Sequence, residues 1–137
     1  VQFVKGKWQT GERVILEKFP ELATIRTMGE GFTWDTQDRQ RDITAAKVAW
    51  QTACEMMTDE RYDLIILDEL NIVLRYDYLA VEEIVCTLKE RRDDLHVVVT
   101  GRNAKDELIE AADLVTEMGE IKHHFKAGVK AQTGIEY

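Results

Sequence analysis

The spacing of apolar and polar positions changes several times along the chain, and each change marks an element. Val1–Val4 reads VQFV, an apolar strand, and Lys5–Gly11 is turn-prone. Glu12–Phe19 is a short amphipathic stretch closed by Pro20, and Ala23–Met28 predicts a second strand. From Gln37 to Met57 the apolar positions Ile43, Ala46, Trp50, Ala53, Cys54 and Met57 recur three or four apart, which predicts a helix with one buried face. Tyr62–Leu67 contains the run LIIL, the pattern of a strand covered on both faces, and a helix begins near Leu70. Val81–Leu88 predicts a helix with Ile84, Val85 and Leu88 on one side. Leu95–Val99 (LHVVV) predicts another buried strand, Ala104–Ala112 a helix and Leu114–Met118 a last short strand, before an irregular tail over Gly119–Tyr137. Strands separated by helix-length segments form βαβ units. The expected fold class is therefore α/β, a mostly parallel sheet flanked by helices. Sheets of this kind bind ligands at the carboxyl ends of their strands.

Composition narrows the picture. At 137 residues, with a single proline and no Ser/Gly-rich stretch, the chain is expected to form one domain over 1–137. Hydrophobic residues at 45% and charged residues at 32% are those of an ordered globular protein. A net charge of -8 argues against nucleic acid as a partner, since backbone binding needs a basic face. No apolar run is long enough to span a bilayer and no signal-peptide pattern opens the chain, so no membrane role and a cytoplasmic setting are expected. Cys54 and Cys86 fall in helical segments without a CxxC neighbour, the pattern of reduced core thiols.

Three polar signatures stand at or beside predicted strand ends. LIIL runs into Asp68-Glu69, as a Walker B strand presents acids to Mg²⁺; a hard cation takes oxygen ligands, and a strand end holds a carboxylate rigidly. The competing reading makes Asp68 a cap for the next helix. Leu95–Val99 ends in Thr100-Gly101-Arg102, where glycine allows close backbone approach and arginine can meet a phosphate or ribose oxygen, or simply stand solvated in a βα turn. The loop Gly29–Gln37 carries Phe32 and Trp34 two residues apart; in an extended segment both rings share one side, to anchor in the core or to wall a flat apolar ligand. No GxxxxGK[ST] phosphate loop occurs, and the chain opens in a strand, so the preceding strand, loop and helix are expected to be absent. His123-His124 could suggest a metal pair, but adjacent histidines on an irregular segment are expected to point apart, with no third ligand evident.

Taken together, VQFVKGKWQTGE, GFTWDTQDR, LIILDELN, VVVTGR and KHHFKAGVKAQTGIEY resemble the phosphate-loop type of ATP:corrinoid adenosyltransferase (cob(I)alamin adenosyltransferase), in order over essentially the whole chain. The GFTW-x-TQ loop and the KAGVKAQ-x-GIEY ending are the specific parts; the family's phosphate loop has no counterpart here. The resemblance implies a phosphate-loop NTPase-like (RecA-like) fold lacking its first strand, Walker A loop and first helix. It implies transfer of the 5′-deoxyadenosyl group of ATP to the cobalt of cob(I)alamin, giving adenosylcobalamin and triphosphate. Glu69 would hold Mg²⁺ with Asp68 beside it, Arg102 would face the nucleotide, and Phe32 and Trp34 would wall the lower face of the corrin. It further implies a homodimer supplied with electrons by a reduced flavoprotein. The alternatives are another phosphate-loop NTP-dependent transferase or kinase-like enzyme, which has no use for Phe32 and Trp34, and a non-catalytic fragment.

Overall fold

The computed structural model describes residues 1–4, 6, 11–29 and 38–132. Among them are six helices and two strands: α1 Gly11–Leu16, α2 Arg39–Thr58, β1 Leu64–Leu67, α3 Leu70–Arg75, α4 Val81–Lys89, β2 His96–Val99 and α5 Asp106–Ala111, with a 3₁₀ turn at His124–Ala127 as the last helix. The chain divides into two compact units, Val1–Trp8 with Ile25–Ala112, and Gln9–Thr24 with Asp113–Tyr137.

The first unit holds the sheet. β1 and β2 pair in parallel, Leu64 opposite His96 through Leu67 opposite Val99. The two other strands expected here shrink to single bridges, for Gln2 pairs in parallel with Thr27 on one side and Asp68 on the other. Backbone bonds extend this pairing. Gln2 N–H donates to Arg26 O at 2.8 Å, Asp68 N–H to Val1 O at 2.8 Å and Phe3 N–H to Asp68 O at 3.0 Å. Four segments thus run side by side in the order 26–28, 1–3, β1, β2, all in one direction.

α2 is the principal cover. Asp38 caps its start by accepting from Arg41 N–H at 3.1 Å, and its predicted stripe is buried at Ala46, Trp50, Ala53 and Met57, joined by Ala49. These residues cluster with Ile65 and Leu67 of β1, Leu70, Val73 and Leu74 of α3, Ile84 of α4 and Leu108 of α5. All of them lie on one side of β1. Its alternate residues Leu64 and Ile66 stay about half exposed, so the expectation of a strand covered on both faces is corrected: the unit's helices cover one face, and the period of two turns the other residues out. The expectation of two core thiols holds for Cys54, which packs against the core, and fails for Cys86. Cys54 is half-buried and Cys86 is exposed on α4, because Ile84 and Val81 take the buried stripe of that helix.

The second unit contains α1, which buries no residue, and the 3₁₀ turn. An Arg13–Glu17 ion pair at 2.6 Å braces the end of α1. The strand expected at Leu114–Met118 does not form: no ladder partner lies beside it among the described residues, and Leu114 and Met118 are 84% and 93% exposed. Alternation alone does not make a strand without a neighbour to accept its hydrogen bonds.

Candidate functional site

Parallel pairing brings the strand ends to one edge. The register that sets Leu67 opposite Val99 sets Asp68 near Thr100, and the Gln2 bridges add the end of the 26–28 segment to the same edge. Asp68-Glu69 and Thr100-Gly101-Arg102, read separately in the sequence, therefore meet.

They meet through hydrogen bonds. Thr100 Oγ1 donates to Asp68 Oδ1 at 3.0 Å and accepts from Glu69 N–H at 3.0 Å. Thr100 N–H donates to Leu67 O at 3.2 Å, and Asn71 N–H to Thr100 O at 3.2 Å. Glu69 turns left-handed, at φ 65°, which is costly for a residue with a side chain and is held only where its surroundings insist on it. Glu69 also occupies the N-cap position of α3 without a side-chain capping bond. Asp68 is thus not the cap of α3, and its carboxylate is engaged by Thr100 instead.

Asn71 lies beneath this corner, 6% exposed, donating from Nδ2 to Gly101 O at 3.3 Å; its Oδ1 is buried with no hydrogen-bond partner. Gly101 adopts φ 123°, and a β-carbon there would stand 2.9 Å from Asn71 Cβ and 3.3 Å from Asn71 N. The glycine is required for that approach. Arg102 is exposed in the turn after β2 and makes no hydrogen bond or ion pair among the described residues. Sequence reasoning singled out Gly101 and Arg102 but missed the part of Thr100, and missed Asn71 entirely. The signal was available in the aligned endings LIILD and HVVVT, which in parallel register set a hydroxyl beside a carboxylate.

Phe32 and Trp34 lie outside the described residues. The positions that bracket their loop, Gly29 and Asp38, are described, and an open cavity of about 600 Å³ is lined by Met28, Asp38, Gln40, Arg41, Thr44, Ala45 and Val48. The start of α2 is firmly tied there. Tyr78 O–H donates to Asp42 Oδ2 at 3.2 Å, Arg39 Nη2 donates to Tyr76 O at 3.1 Å, and the Arg39 guanidinium sits 5.3 Å from the Tyr78 ring centre. Burial, with the Asp42 carboxylate beside it, pushes the Tyr78 hydroxyl pKa above its ordinary value, so Tyr78 donates this bond as a neutral phenol.

No group of three or more metal-binding side chains occurs among the described residues. The histidines do not point apart as expected: their rings stack with centres 4.7 Å apart, because His123 Nδ1 accepts from Phe125 N–H at 3.1 Å and turns its ring over the 3₁₀ turn. The acid pair is different in kind. Asp68 and Glu69 supply two oxygen donors at a rigid strand end, the set Mg²⁺ takes when substrate phosphates and water complete its shell. No helix among the described residues is long and apolar enough to cross a membrane.

Residues 1–137 match the family model described as ATP:corrinoid adenosyltransferase BtuR/CobO/CobP. The chain is 56% identical over 139 residues to a corrinoid adenosyltransferase of a Sinorhizobium species, covering all of this chain and 65% of that protein. Against the corrinoid adenosyltransferases of Pseudomonas aeruginosa and Escherichia coli (strain K12) the identities are 51% and 47%, each over the whole chain and 68% and 69% of the relative. The chain spans about two thirds of the length of these relatives.

Proposed function

Because the chain belongs to the ATP:corrinoid adenosyltransferase family, we propose that the protein transfers the 5′-deoxyadenosyl group of ATP to the cobalt of a reduced corrinoid. The observation that carries the reading is the convergence of Asp68-Glu69 with Thr100-Gly101-Arg102 at one carboxyl edge of a parallel sheet, where such folds bind nucleotides. A match over all 137 residues disfavours another NTP-dependent transferase.

The substrates carry the hard chemistry. Cob(I)alamin's cobalt supplies the electron pair of the new Co–C5′ bond, and the C5′–O bond of ATP breaks with its pair leaving on triphosphate. The protein's task is to hold the two in line. Glu69 would hold Mg²⁺ with Asp68 beside it, and the ion would supply charge neutralisation on the phosphates and the departing triphosphate. Arg102, exposed and without a protein partner among the described residues, faces the nucleotide phosphates or ribose. Phe32 and Trp34 wall the lower face of the corrin and exclude water and the lower cobalt ligand, which eases reduction to Co(I). The open cavity bordered by Met28, Asp38 and Val48, among residues that flank that segment in sequence, supports this reading. The same reading carries a phosphate-loop NTPase-like (RecA-like) architecture, a homodimer, a reduced flavoprotein as electron donor and a cytoplasmic setting.

The test of the corrin wall is spectroscopic. In the intact protein, mixed with ATP and a Co(II) corrinoid, the electron paramagnetic resonance spectrum shows four-coordinate Co(II). Replacing both Phe32 and Trp34 by alanine abolishes that signature, spares ATP binding, and slows adenosylation more from Co(II) than from chemically prepared Co(I). A folded double variant that keeps the signature assigns the wall to other groups, and one that unfolds makes the rings core anchors.

A further inference from the structure

The Thr100 hydroxyl touches both members of the acid pair, and it touches them in different ways. Its single proton goes to Asp68 Oδ1, and its oxygen takes the Glu69 N–H, both at 3.0 Å. The first bond fixes the orientation of the Asp68 carboxylate. The second fixes the peptide that enters a left-handed residue, Glu69 at φ 65°, and so sets the direction in which the Glu69 side chain leaves the strand. Thr100 is itself held from both sides by Leu67 O and Asn71 N–H, and the Gly101 backbone lies so close to Asn71 that a β-carbon there would stand 2.9 Å from Asn71 Cβ.

We propose that Thr100 is a positioning residue for the divalent cation of the nucleotide, acting through Asp68 and Glu69. The proposal rests on the reading of the acid pair given above. A hydroxyl that orients one carboxylate and locks the backbone of the next is the outer-shell partner that metal-binding carboxylates require, and loss of such partners typically costs about 10- to 100-fold in metal affinity or activity. Thr100→Val keeps the branched shape and removes both bonds. Thr100→Ser keeps both.

The experiment uses the intact protein with ATP and Mn²⁺ as the cation, free Mn²⁺ being counted by its electron paramagnetic resonance signal. Glu69→Gln runs in parallel as the reference for the acid pair. Thr100→Val is expected to raise the Mn²⁺ dissociation constant at least about tenfold, and Thr100→Ser to stay within about threefold of the parent. If Thr100→Val does not fold, Thr100→Ala removes the same two bonds and is expected to give the same rise. A parent-like constant in Thr100→Val, or a serine variant as impaired as the valine one, overturns the proposal while Glu69→Gln still loses cation binding. If Glu69→Gln itself binds Mn²⁺ as the parent does, the reading of the acid pair fails and the role of Thr100 falls with it.

Discussion

At Glu69 the backbone turns left-handed to leave the strand, and the carboxylate it carries stands next to a second acid whose oxygen is already bonded to Thr100. A strained non-glycine residue beside an ordered hydrogen-bond corner is a feature that packing alone does not call for. Glu69→Gln preserves the shape and removes the charge that, in the proposed reading, would face Mg²⁺. Adenosylation by the intact protein is expected to fall at least about a hundredfold, with the far-ultraviolet circular dichroism unchanged. Normal Mg²⁺-dependent rates in that variant would leave the acid pair without a catalytic part. Gly101 makes a separate prediction about stability. Alanine there must adopt φ 123° with its β-carbon against Asn71, so Gly101→Ala is expected to destabilise by about 2–4 kcal/mol, read from chemical denaturation. A loss below about 0.5 kcal/mol would mean that the turn relaxes freely.

Among the elements, those with a dense apolar period were legible and those that depend on a neighbour were not. α2 announces itself because its stripe recurs at three and four, and β1 and β2 because the largely apolar runs LIIL and HVVV end in polar signatures. Val1–Val4 and Ala23–Met28 look as strand-like as β1, yet they form only the bridges through Gln2, and Leu114–Met118 forms none. Strand formation is settled by what lies alongside, and the sequence does not print that. The same limit hid the Asp68–Thr100–Glu69 corner: its residues are 31 and 32 positions apart and meet only through parallel register. Where the periodic signal was strong, the energetic consequence is direct. Ile84 of α4 is fully buried in the cluster that contains Leu67, Leu70 and Leu74, so Ile84→Ala is expected to cost about 2–5 kcal/mol of unfolding free energy. A cost under about 1 kcal/mol would show that α4 is not part of the cooperative core.

At the scale of the molecule, the GFTW-x-TQ segment and the last five residues of the KAGVKAQ-x-GIEY ending fall outside the described residues, while LIILDELN and VVVTGR form the carboxyl edge of the sheet. Function was therefore legible from motifs whose geometry is described only in part, and the geometry supports it from motifs that alone were ambiguous. The two lines meet in one reaction, and the products of that reaction distinguish it from every other use of a nucleotide. The measurement is made on the intact protein with Mg²⁺, ATP and chemically reduced Co(I) corrinoid, following the corrinoid spectrum and the phosphate products together. The account predicts a light-sensitive adenosylcorrinoid and one triphosphate released for each one formed. ADP or orthophosphate, with the corrinoid left unalkylated, would contradict it.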